Sequence, residues 1–221
     1  MVKFDKPEVE QFFQTLTVEN FTVSPDEKQL VISSNLNGHF NIWAMDLPNQ
    51  FPYPLTFNNQ SVDFLTYAKT GEFMVAGFDQ DGDENTQIYA LAPKGGKLVS
   101  IRRNEGERHF FNYLTKDGKR LYYSTTAGNA TFLNNYIYDI ETGEDKLLLE
   151  GTIAPTSIEA VSPAEKSFVS GKQFGNTYSL AYVHLDDETI LLTPETKEQH
   201  TVTDTLYTSE TDIYFLTNYN S

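Results

Sequence analysis

The sequence predicts an all-β chain built from tandem four-stranded repeats, and three observations carry that prediction. A turn-and-strand unit recurs five times along 221 residues, starting at positions 24, 68, 115, 162 and 208. Strand-favouring side chains are abundant, with 13 Tyr and 16 Phe alongside many Thr, Val and Ile, and such residues pack well on a pleated surface. Two more apolar runs follow the unit in each complete repeat, so every complete repeat offers four strands.

The clearest copies of the unit are Ser24-Pro25-Asp26-Glu27-Lys28-Gln29-Leu30-Val31, Thr115-Lys116-Asp117-Gly118-Lys119-Arg120-Leu121-Tyr122 and Ser162-Pro163-Ala164-Glu165-Lys166-Ser167-Phe168-Val169. Weaker copies begin at Ala68 and Thr208. Each reads as a strand, a tight turn and a second strand. Pro25 and Pro163 fix φ near the value required at the second position of a type I turn. Asp26, Gly71 and Gly118 accept turn geometry or a positive φ at little steric cost. The second strands are Leu30-Val31-Ile32, Phe73-Met74-Val75, Leu121-Tyr122-Tyr123 and Ile213-Tyr214-Phe215.

Third strands follow at matching positions: 41–46, 87–91, 136–140 and 178–183. Fourth strands come after a further turn, at 53–56, 97–100, 146–149 and 190–193. Four antiparallel strands per repeat of this length is the signature of a β-propeller blade. Helical solenoids of similar period need apolar spacing of 3.6 and long capped helices, which these repeats lack. Only Lys6–Thr15 has helical character, with Pro7 in the first turn and Val9, Phe12 and Phe13 on one side. That segment is expected as a short N-terminal helical arm packed on the blades.

The expected organisation is therefore an arm over 1–20 and a partial propeller over 21–221. Four complete blades are expected at about 21–57, 64–101, 110–150 and 158–195, and the start of a fifth at 204–221. Propellers close with about 4–8 blades, and an open ring exposes apolar faces and strand edges. The chain is thus expected to be the front portion of a longer protein and to self-associate through its open blade edges. The alternative is a small ring closed by the segment Leu16-Thr17-Val18 joining the last blade.

A formal charge of −15 repels phosphate backbones and anionic headgroups, so neither nucleic acid nor membrane is an expected partner. There is no cysteine, which rules out disulfides, thiolate metal sites and a cysteine nucleophile. Residues 1–8 lack the apolar core of a signal peptide, and no run of about 18 apolar residues occurs. A cytoplasmic location is the default, which makes the sequons at Asn20, Asn59 and Asn129 chance matches.

No Gly-x-Ser-x-Gly nucleophile elbow occurs. His39, His109, His184 and His200 are spread one to a region, none in a motif with a serine, and are expected on blade surfaces or loops. The acidic run Asp79-Gln80-Asp81-Gly82-Asp83-Glu84-Asn85 departs from an EF-hand, because counting from Asp79 puts Gly82 at position four and Ala90 at position twelve. That loop requires glycine at position six and glutamate at position twelve. The run is expected as a solvated loop whose carboxylates accept from backbone amides. Trp43 and the tyrosines are expected in the inter-blade core, and Arg102, Arg103 and Arg108 are expected to pair with Glu105 and Glu107. No catalytic, cofactor-binding or metal-ligating residue is assigned, and no cofactor.

The Ser-Pro-Asp-Glu-Lys turn, Trp43-Ala44-Met45-Asp46, the stretch Gly77–Asn85 leading into Gln87-Ile88-Tyr89, and Gly106-Glu107-Arg108-His109-Phe110-Phe111 resemble the propeller half of bacterial prolyl-oligopeptidase-family serine peptidases. The acylaminoacyl-peptidase-like and dipeptidyl-aminopeptidase-like branch fits best. The resemblance covers the whole chain, although TolB-type propellers share the Ser-Pro-Asp turns. It implies a propeller that caps and gates an α/β-hydrolase domain, the partner that would supply a Ser-Asp-His triad and that these residues do not contain. The chain itself is then not an enzyme. The alternative is a stand-alone TolB- or WD40-like propeller that mediates protein–protein interaction.

Overall fold

The structure is a computed structural model that describes residues 6, 8–9, 15–48, 51–186, 188–194 and 196–219. The first sheet comprises β1 (Val18–Val23), β2 (Gln29–Ser34), β3 (Asn41–Asp46) and β4 (Tyr53–Pro54). The second holds β5 (Val62–Tyr67), β6 (Met74–Phe78), β7 (Gln87–Leu91) and β8 (Val99–Arg102). The third holds β9 (His109–Leu114), β10 (Arg120–Thr125), β11 (Asn134–Asp139) and β12 (Asp145–Glu150). The fourth holds β13 (Thr156–Val161), β14 (Ser167–Phe174), β15 (Tyr178–Leu185) and β16 (Glu188–Leu191). A fifth sheet pairs β17 (Val202–Tyr207) with β18 (Ile213–Thr217). Every sheet is an antiparallel meander in sequence order, the strand pattern of a propeller blade.

The turn inside each unit explains the repeat. The amide of its fourth residue donates to the carbonyl of its first in all four complete sheets: Glu27 to Ser24, Gly71 to Ala68, Gly118 to Thr115 and Glu165 to Ser162. That fourth residue has φ between 58° and 77° in every case, the left-handed region that costs glycine least. Where a complete sheet's unit opens on Ser or Thr, that hydroxyl is buried and accepts from the next strand's first amides: Gln29 N lies 2.9 Å from Ser24 Oγ and Arg120 N 2.9 Å from Thr115 Oγ1. In the fifth sheet Thr208 N instead meets Asp212 O, a loop one residue shorter.

Burial follows the two-residue period of a strand. Met74 packs towards the first sheet with Val31, Ile42, Ala44 and Leu65. Its neighbour Val75 packs the other way, with Ile88, Leu114 and Leu121. The same alternation separates Leu121 from Tyr122 and Phe168 from Val169. A sheet buried on both faces needs near-continuous apolar strands, which is why the second strands read as unbroken hydrophobic runs. Neighbouring sheets meet through their first strands, β1 against β5 and β13 against both β9 and β17, so these strands form the hub. Asn20 Nδ2 donates to Val62 O at 2.7 Å, and Tyr67 N to Thr22 Oγ1 at 3.0 Å.

The described residues form no α-helix. Most of the arm expected over 6–15 lies outside the described residues, and 6, 8, 9 and 15 carry no α-helical turn. At the entry to the first sheet Thr17 N donates to Asn35 Oδ1 at 2.8 Å and Asn35 Nδ2 to Thr15 O at 3.0 Å. β1 opens at Val18, inside the span expected as arm, and Val18 pairs with Ser34 of its own sheet. The 16–18 segment therefore does not serve as a strand of the last sheet.

Candidate functional site

Loops at the two ends of the sheets enclose the larger clefts. Where the turn units of the first and second sheets meet, a cleft of about 670 Å³ is organised by Gln29. Its Nε2 donates to Tyr53 Oη at 2.9 Å and to Pro93 O at 3.1 Å, while Tyr67 Oη donates to its Oε1 at 2.9 Å. Tyr53 Oη donates in turn to Asp46 Oδ1 at 2.9 Å. Burial foremost pushes both phenols' pKa up, so they stay neutral hydrogen-bonding groups. This chain of contacts ties Asp46, Tyr53 and Gln29 of the first sheet to Tyr67 and Pro93 of the second repeat.

At the opposite end, a cleft of about 430 Å³ is lined by Ser61, Asp63, Asp79, Glu84, Thr86 and Arg108. Asp63 Oδ2 accepts from Thr86 Oγ1 at 2.9 Å and faces Arg108 Nη2 at 3.7 Å. The Arg108 guanidinium sits 4.7 Å above the Phe110 ring. The mix of one cation, three carboxylates and two hydroxyls suits a polar or zwitterionic group, and it offers no activated nucleophile.

A bulge in β5 places Asp63 here, and one in β1 leaves Glu19 unpaired in the ladder. Bulges re-aim side chains, and the β13 bulge does the same for Glu159. Ser61 Oγ reaches Glu19 Oε2 at 2.6 Å, and Ser157 Oγ donates to Glu159 Oε1 at 2.5 Å. Sequence reading passed over these carboxylates. Their only sequence signal was an acidic residue in the middle of a first strand.

The acidic run projects between β6 and β7. Asp83 Oδ1 accepts from Gln80 N at 3.1 Å and Asn85 N at 3.0 Å, and Asp79 Oδ2 from Glu84 N at 3.3 Å. Those backbone donors hold the Asp83 pKa below the usual carboxylate value. Among the described residues no group of three His, Asp or Glu side chains is placed to hold a metal ion.

The histidines depart from expectation. His39 is exposed, but His109 and His200 are fully buried. His109 opens β9 with its amide on Thr86 O and its ring edge-on to Tyr123, under the second sheet. Burial, reinforced by the nearby Arg102 charge, pulls its pKa down to about 4. His200 forms a parallel bridge with Tyr178, beside which its ring stacks. His184, though in no motif with a serine, is brought by the β14–β15 pairing to 2.8 Å from Ser170 Oγ through Nε2. Its Nδ1 faces the Thr189 hydroxyl at 3.1 Å rather than a carboxylate. Burial and then Lys172 lower its pKa, and Ser170 is sealed from solvent at 1% exposure. A weak base beside an inaccessible hydroxyl makes a core hydrogen bond, because nucleophilic catalysis needs an oriented base and access.

Arg102 and Arg108 pair across sheets instead of with Glu105 and Glu107: Arg102 meets Asp145 at 3.0 Å and Arg108 meets Asp63. Trp43 is half-buried rather than core, with its Nε1 donating to Ser34 O at 3.1 Å.

Antiparallel meanders stacked face to face around a hub of first strands define a β-propeller fold. No family model matches the chain. Among solved structures, TolB from Acinetobacter baumannii superposes with a TM-score of 0.60 at 23% identity, over 80% of this chain and 43% of that one. A prolyl endopeptidase superposes at 0.71 and 13% identity, over 95% of this chain and 33% of that one. The β-propeller domain of the Trilobed protease from Pyrococcus furiosus, which has an open velcro topology, superposes at 0.61 and 11% identity, over 90% and 62%. What is shared at these identities is the fold. The chain spans less than half of the TolB and prolyl endopeptidase chains.

Proposed function

We propose that this chain is the substrate-gating and scaffolding propeller portion of a serine peptidase, with no chemistry of its own. It supplies four blades and the first half of a fifth to a larger ring. An α/β-hydrolase domain carrying the Ser-Asp-His triad is its partner in the parent protein. The observation that carries this reading is the superposition on a prolyl endopeptidase over 95% of this chain, together with the motifs quoted above. The sealed state of Ser170 and the missing carboxylate behind His184 support a non-catalytic role. A cytoplasmic location fits the absence of cysteine, since disulfides mark oxidising compartments.

The second reading is a stand-alone propeller that binds another protein, favoured by the 23% identity to TolB. Sequencing the gene beyond the codon for Ser221 separates the two. Further blades followed by a Gly-x-Ser-x-Gly segment are expected for the peptidase reading. A stop codon at that point overturns it in favour of the interaction propeller.

A further inference from the structure

The residues lining the cleft of about 430 Å³ lie in or beside the second and third sheets, away from both ends of the array. The repeats supply an internal control for it. Ser61 stands seven places before Ala68 and Arg108 seven before Thr115, so the two occupy equivalent positions. Glu19 stands five places before Ser24 and Asp63 five before Ala68. Between the first and second sheets this pair is Ser61 on Glu19 at 2.6 Å, which uses the hydroxyl's one proton. Between the second and third it is Arg108 and Asp63 at 3.7 Å.

A guanidinium carries five N–H donors. Among the described residues, that of Arg108 makes no hydrogen bond to a protein acceptor beyond its long contact with Asp63. Replacing a one-donor hydroxyl by a five-donor cation therefore gives this seam a capacity that its own packing does not use. The carboxylates are in a matching state. The Glu84 carboxylate accepts no protein hydrogen bond among the described residues, while Asp63 and Asp79 each use one oxygen, for Thr86 Oγ1 and Glu84 N.

Both walls are held in place. Arg108 N donates to Thr126 Oγ1 at 2.8 Å and Arg108 O accepts from Thr126 N at 3.0 Å, so the third sheet clamps its backbone. The Phe110 ring backs its guanidinium at 4.7 Å. The loop bearing Asp79 and Glu84 is tied to the chain entering the second sheet, where Gln60 Nε2 donates to Asp81 Oδ1 at 2.8 Å and Asp81 N to Gln60 Oε1 at 3.0 Å. Fixed groups of this kind bind without first having to be ordered.

Charge then selects the ligand. A phosphate would suit Arg108 but would face three carboxylates on a chain of −15. A simple cation would suit the carboxylates but would face the guanidinium. A molecule bearing both charges satisfies both walls, and with no net charge it is not repelled by the chain as a whole. We infer that this cleft binds a small zwitterion of the amino-acid kind. Its carboxylate takes the Arg108 fork, whose planar donors match two carboxylate oxygens. Its ammonium donates to Glu84 and Asp79 in charge-assisted hydrogen bonds. The volume lies within the range of roughly 300–1,000 Å³ for small-molecule sites. A free amino acid and a short peptide both present these two groups. The cleft carries the inference without the peptidase reading, so a stop codon after Ser221 leaves it standing.

The test is a titration of the ¹⁵N-labelled 221-residue chain with L-alanine and with L-alanyl-L-alanine, followed by amide chemical shifts. At least one of them is expected to give saturable shifts centred on Arg108 and on the loop from Asp79 to Glu84, and the tighter of the two shows whether an amino acid or a peptide is preferred. The N-acetylated and C-amidated forms of that ligand, which lack the ammonium and the carboxylate, are each expected to bind at least about tenfold more weakly, a loss of ~1.4 kcal/mol. Arg108→Met and Glu84→Gln are expected to weaken binding by a similar factor. Glu84 is exposed, so its variant is expected to keep the wild-type melting profile and holds the test open if Arg108→Met folds poorly. No saturable shift with either zwitterion overturns the inference. Equal binding of the acetylated form makes the cleft an anion site, and equal binding of the amidated form makes it a cation site; either result overturns the inference. Unaltered affinity in Glu84→Gln and in a folded Arg108→Met places the binding elsewhere and overturns it too.

Discussion

Arg102, on the last strand of the second sheet, reaches the carboxylate of Asp145 on the last strand of the third, with Nη2 3.0 Å from Oδ2. The same guanidinium lies 5.2 Å from the Tyr123 ring centroid and 4.9 Å from that of Tyr138, and Tyr123 Oη donates to Asp145 Oδ1 at 3.0 Å. Two sheets are therefore joined at their outer edges by a charge seated between aromatic rings. A double-mutant cycle of Arg102→Met and Asp145→Asn, read by urea unfolding, is expected to give a coupling of about 1 kcal/mol, since the pair is only partly exposed. A coupling near zero would make the contact incidental.

His109 makes the chain sensitive to acid. Its pKa falls to about 4 in the folded state against 6.5 as the ordinary value. The unfolded chain then binds the proton first, so stability falls as pH drops from 6.5 towards 4 and the loss levels off below that. Up to about 3 kcal/mol is at stake, from the 1.36 kcal/mol carried by each pKa step. His109→Phe keeps an aromatic ring against Tyr123 and removes the proton site. The variant is expected to lose less stability than the wild type between pH 7 and pH 4.5 in urea unfolding. Parallel pH profiles would rule His109 out as the source.

The turn units make an asymmetric prediction. Gly118 has φ 72°, and a Cβ there would stand 3.3 Å from the Phe73 ring. Gly118→Ala is expected to cost about 1 kcal/mol or more. Glu27 occupies the same turn position with φ 58°, so Glu27→Gly relieves backbone strain and is expected to gain roughly 0.5 kcal/mol after the entropy of glycine is subtracted. Thermal melts followed by circular dichroism check both signs, and a destabilised Glu27→Gly would refute the strain argument.

These turns also explain why so much of the fold was legible. Each unit is written within eight residues, and in Ser24 to Val31 the hydroxyl cap, the left-handed fourth position and the apolar strand are all local properties. The partners of Arg102 and Arg108 were not legible because they come from a neighbouring sheet. Asp145 lies 43 positions from Arg102 and Asp63 lies 45 from Arg108, beyond any local rule. The bulges that turn Glu19, Asp63 and Glu159 arise from ladder slippage, which the alternation of side chains alone does not record. Ser170 and His184 meet only because of the register of one hairpin, where Phe168 pairs with His184. The hydrophobic pattern gave the sheets, and polar positions became interpretable only once the sheets were stacked.

The proposed gating and scaffolding role requires a chain with no activated nucleophile of its own. The purified chain is incubated with an excess of a fluorophosphonate probe near neutral pH, and its intact mass is measured. An unchanged mass is expected, because Ser170 is buried and His184 is a weakened base with only a hydroxyl behind it. A stoichiometric adduct on Ser170, or on any other serine, would contradict the account.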